Sequence, residues 1–341
     1  MTRDAIMKIC IVGAGAIGGM LGARLVLAGE EVTFISRGAN LQAFRETGIR
    51  LILEDGAELR TGPLFATDRI AEAGVHDVVI LAMKAHQLTA LAGEIPSLLG
   101  SESVIVTMQN GIPWWYFLNS QGPRQGTRIE AVDPGGLIAA SIDVNRVIGC
   151  VVYPASEIVS PGVIRQIEGD RLSVGELDGS KTPRVERISA LCRRAGFKSP
   201  VISDIRSEIW LKLWGNASFN PISALTHATL EDICRFPLTR ALVTRMMEEI
   251  QQIGEKLGAT FRVSIERRIK GAEAVGKHKT SMLQDVEHGR ALELEALVGA
   301  VVELGRITAT PTPHLDAVYA MVSLLAKTLH NEKGRLKIEA I

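Results

Sequence analysis

The chain begins with short apolar runs separated by longer stretches whose apolar positions recur at helical spacing. Lys8–Val12, Glu31–Ile35, 77–83 and 103–108 are near-continuous apolar segments of strand length. Runs without alternation suit strands buried on both faces, as in a parallel sheet covered by helices. Segment 18–29 reads as a helix, with Ile17, Met20, Leu21 and Leu25 on its packing stripe and Gly29 suited to a left-handed end. Asp55-Gly56 marks a hairpin-like piece. The β-rich runs 149–153, 162–168 and 171–175 predict an antiparallel extension of the same sheet, closed by a helix over 183–195 and a strand over 197–202. From about residue 204 the period is helical to the end. The pattern predicts an α/β domain over 1–203 and an all-α domain over 204–341.

Composition narrows the partners. A chain of 341 residues is long for one core and sufficient for two. Lys plus Arg equals Asp plus Glu at 38 each, so no bulk charge draws it to nucleic acid or to an acidic membrane surface, and neither is an expected partner. Cys10, Cys150, Cys192 and Cys234 are too far apart for metal-ligand spacing and read as buried free thiols in a reducing compartment. No metal is expected. Residues 1–7 are short and polar, unlike a leader, and no run reaches the roughly 18 apolar residues of a membrane span. The expected location is cytoplasmic.

Three clusters carry candidate chemistry. Gly13-Ala14-Gly15-Ala16-Ile17-Gly18 is a G-x-G-x-x-G that follows a strand and opens a helix within the first βαβ unit. There Gly13 permits the tight turn, Gly15 a close approach to a pyrophosphate, and Gly18 the packing of helix on strand; the helix N-terminus offers free N–H groups. After the second strand stands Ser36-Arg37 rather than the carboxylate that grips an NAD ribose. A guanidinium there can pair with a 2′-phosphate, which favours NADPH over NADH. Lys84 and Asn110-Gly111 follow two further strands, at positions that suit either a ligand contact or an ordinary turn.

The second cluster is 206–221. On a helix, Lys212, Asn216 and Asn220 stand at i, i+4 and i+8 and share a face. Apolar neighbours around Lys212 favour a lowered pKa and a role as general acid, the bland alternative being a surface lysine paired with Glu208. Pro221 should break or kink the helix. In the third cluster, Ser281 with Gln284 reads as a capping box, either a cap alone or a seat for a carboxylate. Glu287, Arg290, Glu293 and Glu295 follow, and no period singles out one carboxylate.

Taken together these motifs resemble the ketopantoate reductase (2-dehydropantoate 2-reductase) family. The resemblance spans nearly the whole chain: GAGAIG at 13–18, Ser36-Arg37, Met83-Lys84-Ala85-His86-Gln87, Gln109-Asn110-Gly111, the Glu208–Leu213 stretch with Asn216 and Asn220-Pro221, and Ser281-Met282-Leu283-Gln284-Asp285. It implies a Rossmann-type α/β domain followed by an all-α domain, with the active site in the cleft between them. It implies NADPH-dependent reduction of a 2-oxo acid in pantothenate biosynthesis, most directly 2-dehydropantoate to (R)-pantoate, and homodimers. By the same resemblance Lys212 is the general acid and Glu293 the active-site glutamate. Asn110, Asn216, Asn220 and Ser281 contact substrate. Lys84, Gln87, Asn110 and Ala155 lie on the cofactor side. A D-2-hydroxy acid dehydrogenase of the same family acting on another acid is the near alternative. A non-catalytic NADPH sensor is the remote one, since it needs Gly13–Gly18 and Arg37 but has no use for Lys212 and Glu293. Trp114-Trp115-Tyr116, in a long connection after Asn110, suits core packing, a pocket wall or a subunit interface.

Overall fold

The computed structural model describes residues 6–339; the polar opening residues 1–5 and the last two residues lie outside them. The chain packs as two compact units. The first comprises residues up to Gln109, Trp115–Arg128 and Gly135–Ile205. The second comprises Asn110–Trp114, Ile129–Pro134 and the chain from Arg206 onward.

In the first unit the order is β1 (Lys8–Val12), α1 (Ala16–Leu27), β2 (Glu31–Ile35), α2 (Gly38–Glu46), β3 (Arg50–Ile52), β4 (Glu58–Arg60), β5 (Ala66–Thr67), β6 (His76–Leu81), α3 (Ala85–Leu91) and β7 (Leu99–Thr107). There follow α4 (Leu137–Ser141), β8 (Val147–Val152), β9 (Ala155–Ser160), β10 (Val163–Glu168), β11 (Leu172–Glu176) and α5 (Pro183–Arg194). The main sheet has the order β11-β8-β7-β6-β1-β2-β5. It is parallel from β8 to β5, with β11 antiparallel on β8. Its central strands are apolar throughout because both faces are covered: Ile9, Cys10, Ile11, Val78, Val79 and Ile105 are buried.

The antiparallel extension holds only for β8 and β11. The hairpin β9–β10 joins β3 and β4 in a separate four-stranded sheet, β4-β3-β10-β9, through a parallel β3–β10 pairing. Glycines in α1 let it pack on both sheets. A Cβ at Gly22 would strike Phe34 of the main sheet, and one at Gly19 would strike Ile164 of the second. Segment 197–202 makes two isolated bridges, Arg171 with Lys198 and Val174 with Val201, rather than a strand. Trp115 and Tyr116 are core residues; the Trp115 indole donates to Thr107 Oγ1 at 3.0 Å.

The second unit is helical: α6 (Ile205–Thr226), α7 (Leu230–Arg235), α8 (Pro237–Lys256), α9 (Ile265–Ala274), α10 (Ser281–His288), α11 (Ala300–Ile307) and α12 (Pro313–Asn331). A single π turn, Glu295–Gly299, leads into α11. The helix α6 runs through Pro221 instead of ending there. The reason is burial. Trp210 and Trp214 are fully buried, with the Trp214 indole donating to Met247 O at 2.8 Å and its ring tilted at 59° to Phe261, centroids 4.7 Å apart. Beyond the proline, Ile222, Ser223 and Ala224 are buried too. Burying a side chain such as Ile222 contributes roughly 1.5–3 kcal/mol, comparable to the roughly 3 kcal/mol that a mid-helix proline costs. Two loop segments belong to this unit because their N–H groups find acceptors on its helices. Glu303 accepts from Glu130 N and Ala131 N at 2.7 and 2.8 Å, and Ala296 O accepts from Ile112 N at 2.9 Å.

Candidate functional site

The first site is a backbone cradle. Strand β1 ends at Val12, and Gly13 turns the chain with a φ of +95° that L side chains rarely adopt. A Cβ at Gly13 would lie 2.5 Å from Met83 N, and one at Gly18 would collide with Gly13 O, so both glycines are required by close approach. At Gly15 the opposite holds: nothing lies within 4 Å of a Cβ there. The turn is held by Gly13 N and Ala14 N, which both donate to Ile35 O at 3.1 Å. Gly15 is the N-cap of α1, no side chain caps the helix, and no acid stands in its first turn. The N–H groups of Ala16, Ile17 and Gly18 therefore present the positive end of the helix dipole beside open space. This fits a dinucleotide pyrophosphate.

Ser36 and Arg37 follow β2. Ser36 is buried and its N–H donates to Thr67 O at 2.9 Å; Arg37 is exposed and is the N-cap of α2, whose first turn carries no acid. Lys84 is the N-cap of α3, half-buried, and its carbonyl accepts from Gln87 N at 2.9 Å. Gln109, after β7, donates to Met83 Sδ at 3.3 Å. The strands β7, β6, β1 and β2 are neighbours in the sheet, so these segments all leave its carboxyl edge, where open α/β sheets bind ligands. Ala155 stands apart from that edge group. It begins β9 in the second sheet, opposite Glu168.

The second site is built from side chains. Lys212 and Asn216 are half-buried on α6, and Asn220, one further turn along, is buried. The Lys212 ammonium donates to Asn110 Oδ1 at 2.5 Å, across 102 residues of sequence. This is a charge-assisted bond, and it aims the amide of Asn110 and the amine of Lys212 at one another. Gly215 lies beside them on α6. A Cβ there would strike the guanidinium of Arg268 from α9, so a second positive group flanks this helix. Sequence periodicity within one helix had no means of revealing Arg268, whose placement depends on packing between helices.

Ser281 is exposed at the first position of α10 and is not its cap. Thr280 is the N-cap, with Oγ1 accepting from Leu283 N at 3.3 Å, and Gln284 turns its amide to Lys279 O at 3.1 Å. Either hydroxyl could cap; the extended backbone of Thr280, φ −63° and ψ 157°, gives it the role. That leaves the Ser281 hydroxyl without the capping duty. Glu293 is half-buried just before the π turn. All four cysteines are buried free thiols, and burial pushes Cys10 up to about 12 and Cys192 up to about 11. Among the described residues no group of His, Cys, Asp and Glu is arranged to hold a metal ion, and no helix is long and apolar enough to cross a membrane.

A phosphate cradle at the edge of a parallel sheet, joined in one chain to a helical unit presenting a lysine held by an amide, defines an oxidoreductase that uses a nicotinamide dinucleotide. The family described as ketopantoate reductase PanE/ApbA matches residues 9–179, and its C-terminal family matches residues 204–326. The chain belongs to the ketopantoate reductase family. Among its relatives, a 2-dehydropantoate 2-reductase of Mesorhizobium japonicum is 54% identical over 321 residues, covering 94% of this chain and 98% of the relative. A Ralstonia solanacearum MolK2 protein of known crystal structure superposes with a TM-score of 0.90 at 44% identity, over 96% of this chain and 99% of that one. The crystal structure of 2-dehydropantoate 2-reductase from Geobacter metallireducens GS-15 gives 0.82 at 25% identity, over 93% of this chain and 99% of that one.

Proposed function

We propose that the protein reduces 2-dehydropantoate to (R)-pantoate with NADPH. The observation that carries the reading is the short bond from Lys212 Nζ to Asn110 Oδ1 on a face shared with Asn216 and Asn220. The 54% identity to a 2-dehydropantoate 2-reductase over nearly the whole of both chains supports it. When bound, NADPH supplies hydride to the keto carbon. The N–H groups of 16–18 hold its pyrophosphate, with Ser36 and Arg37 receiving the 2′-phosphate; the exposed guanidinium with no acid in the following turn supports NADPH over NADH. Lys84 and Gln87 would line the cofactor from the carboxyl edge of the main sheet, and Ala155 from the start of β9 in the second sheet. Lys212 donates a hydrogen bond to the keto oxygen and then its proton, so the alkoxide is never released as such. Asn110 holds the ammonium in register, Asn216 and Asn220 orient the substrate hydroxyl and keto groups, and Ser281 contacts the carboxylate. Glu293 acts from the segment before the π turn. In this reading the cofactor is held by a domain over 1–203 and the substrate by a domain over 204–341, with the loop Asn110–Trp114 packed into the second. The reading implies a cytoplasmic enzyme that works as a homodimer.

The test is NADPH oxidation against a panel of 2-oxo acids. Turnover should be highest with 2-dehydropantoate and lower with NADH as donor. If the purified protein binds NADPH but oxidises it with none of the acids, the reductase reading fails.

A further inference from the structure

The π turn Glu295–Gly299 does structural work that regular helix would not. Ala300 N–H donates to Glu295 O, five residues back, and the α register resumes at Ala300. The jump in register leaves the carbonyl of Ala296 outside the helical ladder. That carbonyl is not wasted: Ile112 N–H donates to it at 2.9 Å. The loop comes so close that a Cβ at Gly111 would collide with Ala296 O, and Gly111 has a φ of +87°. One residue earlier stands Asn110, whose Oδ1 receives the Lys212 ammonium. A continuous path of bonded or touching groups therefore runs from the π turn through Ile112 and Gly111 to Asn110 and Lys212.

The turn has its own clasp. Tyr319 on α12 donates to both carboxylate oxygens of Glu295, at 3.0 and 2.8 Å. Gly299 makes room for it, because a Cβ there would strike the Glu295 carboxylate and lie 3.1 Å from the Tyr319 hydroxyl. Burial and the neighbouring carboxylate push the Tyr319 phenol up to about 12, so it stays a donor through the physiological range. The π turn, the Tyr319–Glu295 clasp on it, the Ala296 carbonyl within it and the loop that donates to that carbonyl are thus in continuous contact.

We propose that this π turn, clasped by Tyr319 and Glu295 and met by Gly111, is the positioning element that sets Asn110, and through it Lys212, for proton donation. Gly111, Glu295 and Tyr319 are positioning residues; none is required to touch substrate. The inference rests on the role proposed above for Lys212, and the experiment separates the two.

Gly111→Ala, Tyr319→Phe, Glu295→Ala and Glu295→Gln are compared with the unaltered protein in the NADPH-linked assay, with Lys212→Ala as reference. Gly111→Ala breaks the contact outright and should lower kcat on the order of 10²-fold, the cost of misplacing a reacting group by about 1 Å, while the Kd for NADPH changes by less than about threefold. Tyr319→Phe and Glu295→Ala should each lower kcat by about three- to tenfold, the loss of one bond's worth of restraint. Glu295→Gln keeps an acceptor for the phenol and should restore most of the loss seen in Glu295→Ala. In each slowed variant the isotope effect with NADPH deuterated at the transferring position should rise, since the chemical step has become slower. A kcat within twofold of the unaltered protein in Gly111→Ala and Tyr319→Phe overturns the proposal, as does an equal loss in Glu295→Gln and Glu295→Ala. The Asn110 side-chain amide proton signal, assigned by its loss in Asn110→Ala, reads position without turnover. It should shift in Gly111→Ala even if Lys212→Ala retained activity and the reductase reading fell; an unmoved signal overturns the positioning role on its own.

Discussion

The glycine cradle of the first unit and the lysine face of the second are built on opposite plans. The cradle is six consecutive residues whose backbone supplies the chemistry, and its side chains matter mostly by their absence. The lysine face draws Asn110, Lys212, Asn216 and Asn220 from two segments about a hundred residues apart, and its side chains carry the proposed chemistry. Evolution of a backbone site is constrained by sterics at each glycine. A side-chain site is constrained by whatever packing holds its parts together. The first should therefore fail by losing binding and stability, the second by losing turnover while binding survives.

The largest expected effect tests the second half of that contrast. Lys212→Ala should lower turnover on the order of 10²–10⁴-fold, with NADPH affinity nearly unchanged by calorimetric titration; a comparable loss of NADPH affinity would erase the distinction. Arg37→Ala comes next. If Arg37 meets the 2′-phosphate as proposed, its loss should reduce a preference for NADPH over NADH by about 10- to 100-fold in kcat/KM, and an unaltered preference would place 2′-phosphate recognition elsewhere. Gly13→Ala should lower stability by about 1–3 kcal/mol in denaturant unfolding, the cost of forcing an L residue to a φ of +95°, and should weaken NADPH binding. Retained stability with retained binding would show that the turn can relax. A smaller pair of effects separates cap from contact on α10. Thr280→Ala should cost about 1 kcal/mol of stability, whereas Ser281→Ala should leave melting unchanged and raise the KM for the 2-oxo acid.

The buried thiols give a pH test of the first unit. Cys10 and Cys192 hold their protons more tightly in the folded protein, with values of about 12 and about 11 against an ordinary 9.0. A group whose folded value lies above its unfolded one stabilises the fold fully below the unfolded value. That contribution is lost as pH rises from about 9 through the folded values. Melting temperature should fall across that range, and the fall should be shallower in Cys10→Ala. An aromatic disulfide reagent at neutral pH should modify neither thiol before unfolding.

Much of the first unit is legible from periodicity because its strands are short, apolar and contiguous. Lys8–Val12 and Glu31–Ile35 emerge at the residues expected, and the helix from Ala16 ends before Gly29, which takes a φ of +90°. The second sheet is a different matter. The turn at Ser160-Pro161-Gly162 announces the β9–β10 hairpin, but its partner β3 lies more than a hundred residues away, and a hairpin does not state which edge it joins. The signal that was present lay in α1, where Gly19 and Gly22 face opposite sheets. Pro221 does not end the helix for a related reason: the local cost of a proline is visible in sequence, whereas the burial of Ile222, Ser223 and Ala224 beyond it is not.

Contiguous backbone geometry, the helical or strand period, and the residue types at the cradle and on α6 are local properties, and the order of amino acids specifies them directly. Which hydroxyl caps α10, which carbonyl the π turn releases, and that Asn110 meets Lys212 are properties of distant segments in contact. They depend on side-chain volumes filling shared space at close-packed density, a condition that no one-dimensional pattern encodes, and so the folded chain alone decides them.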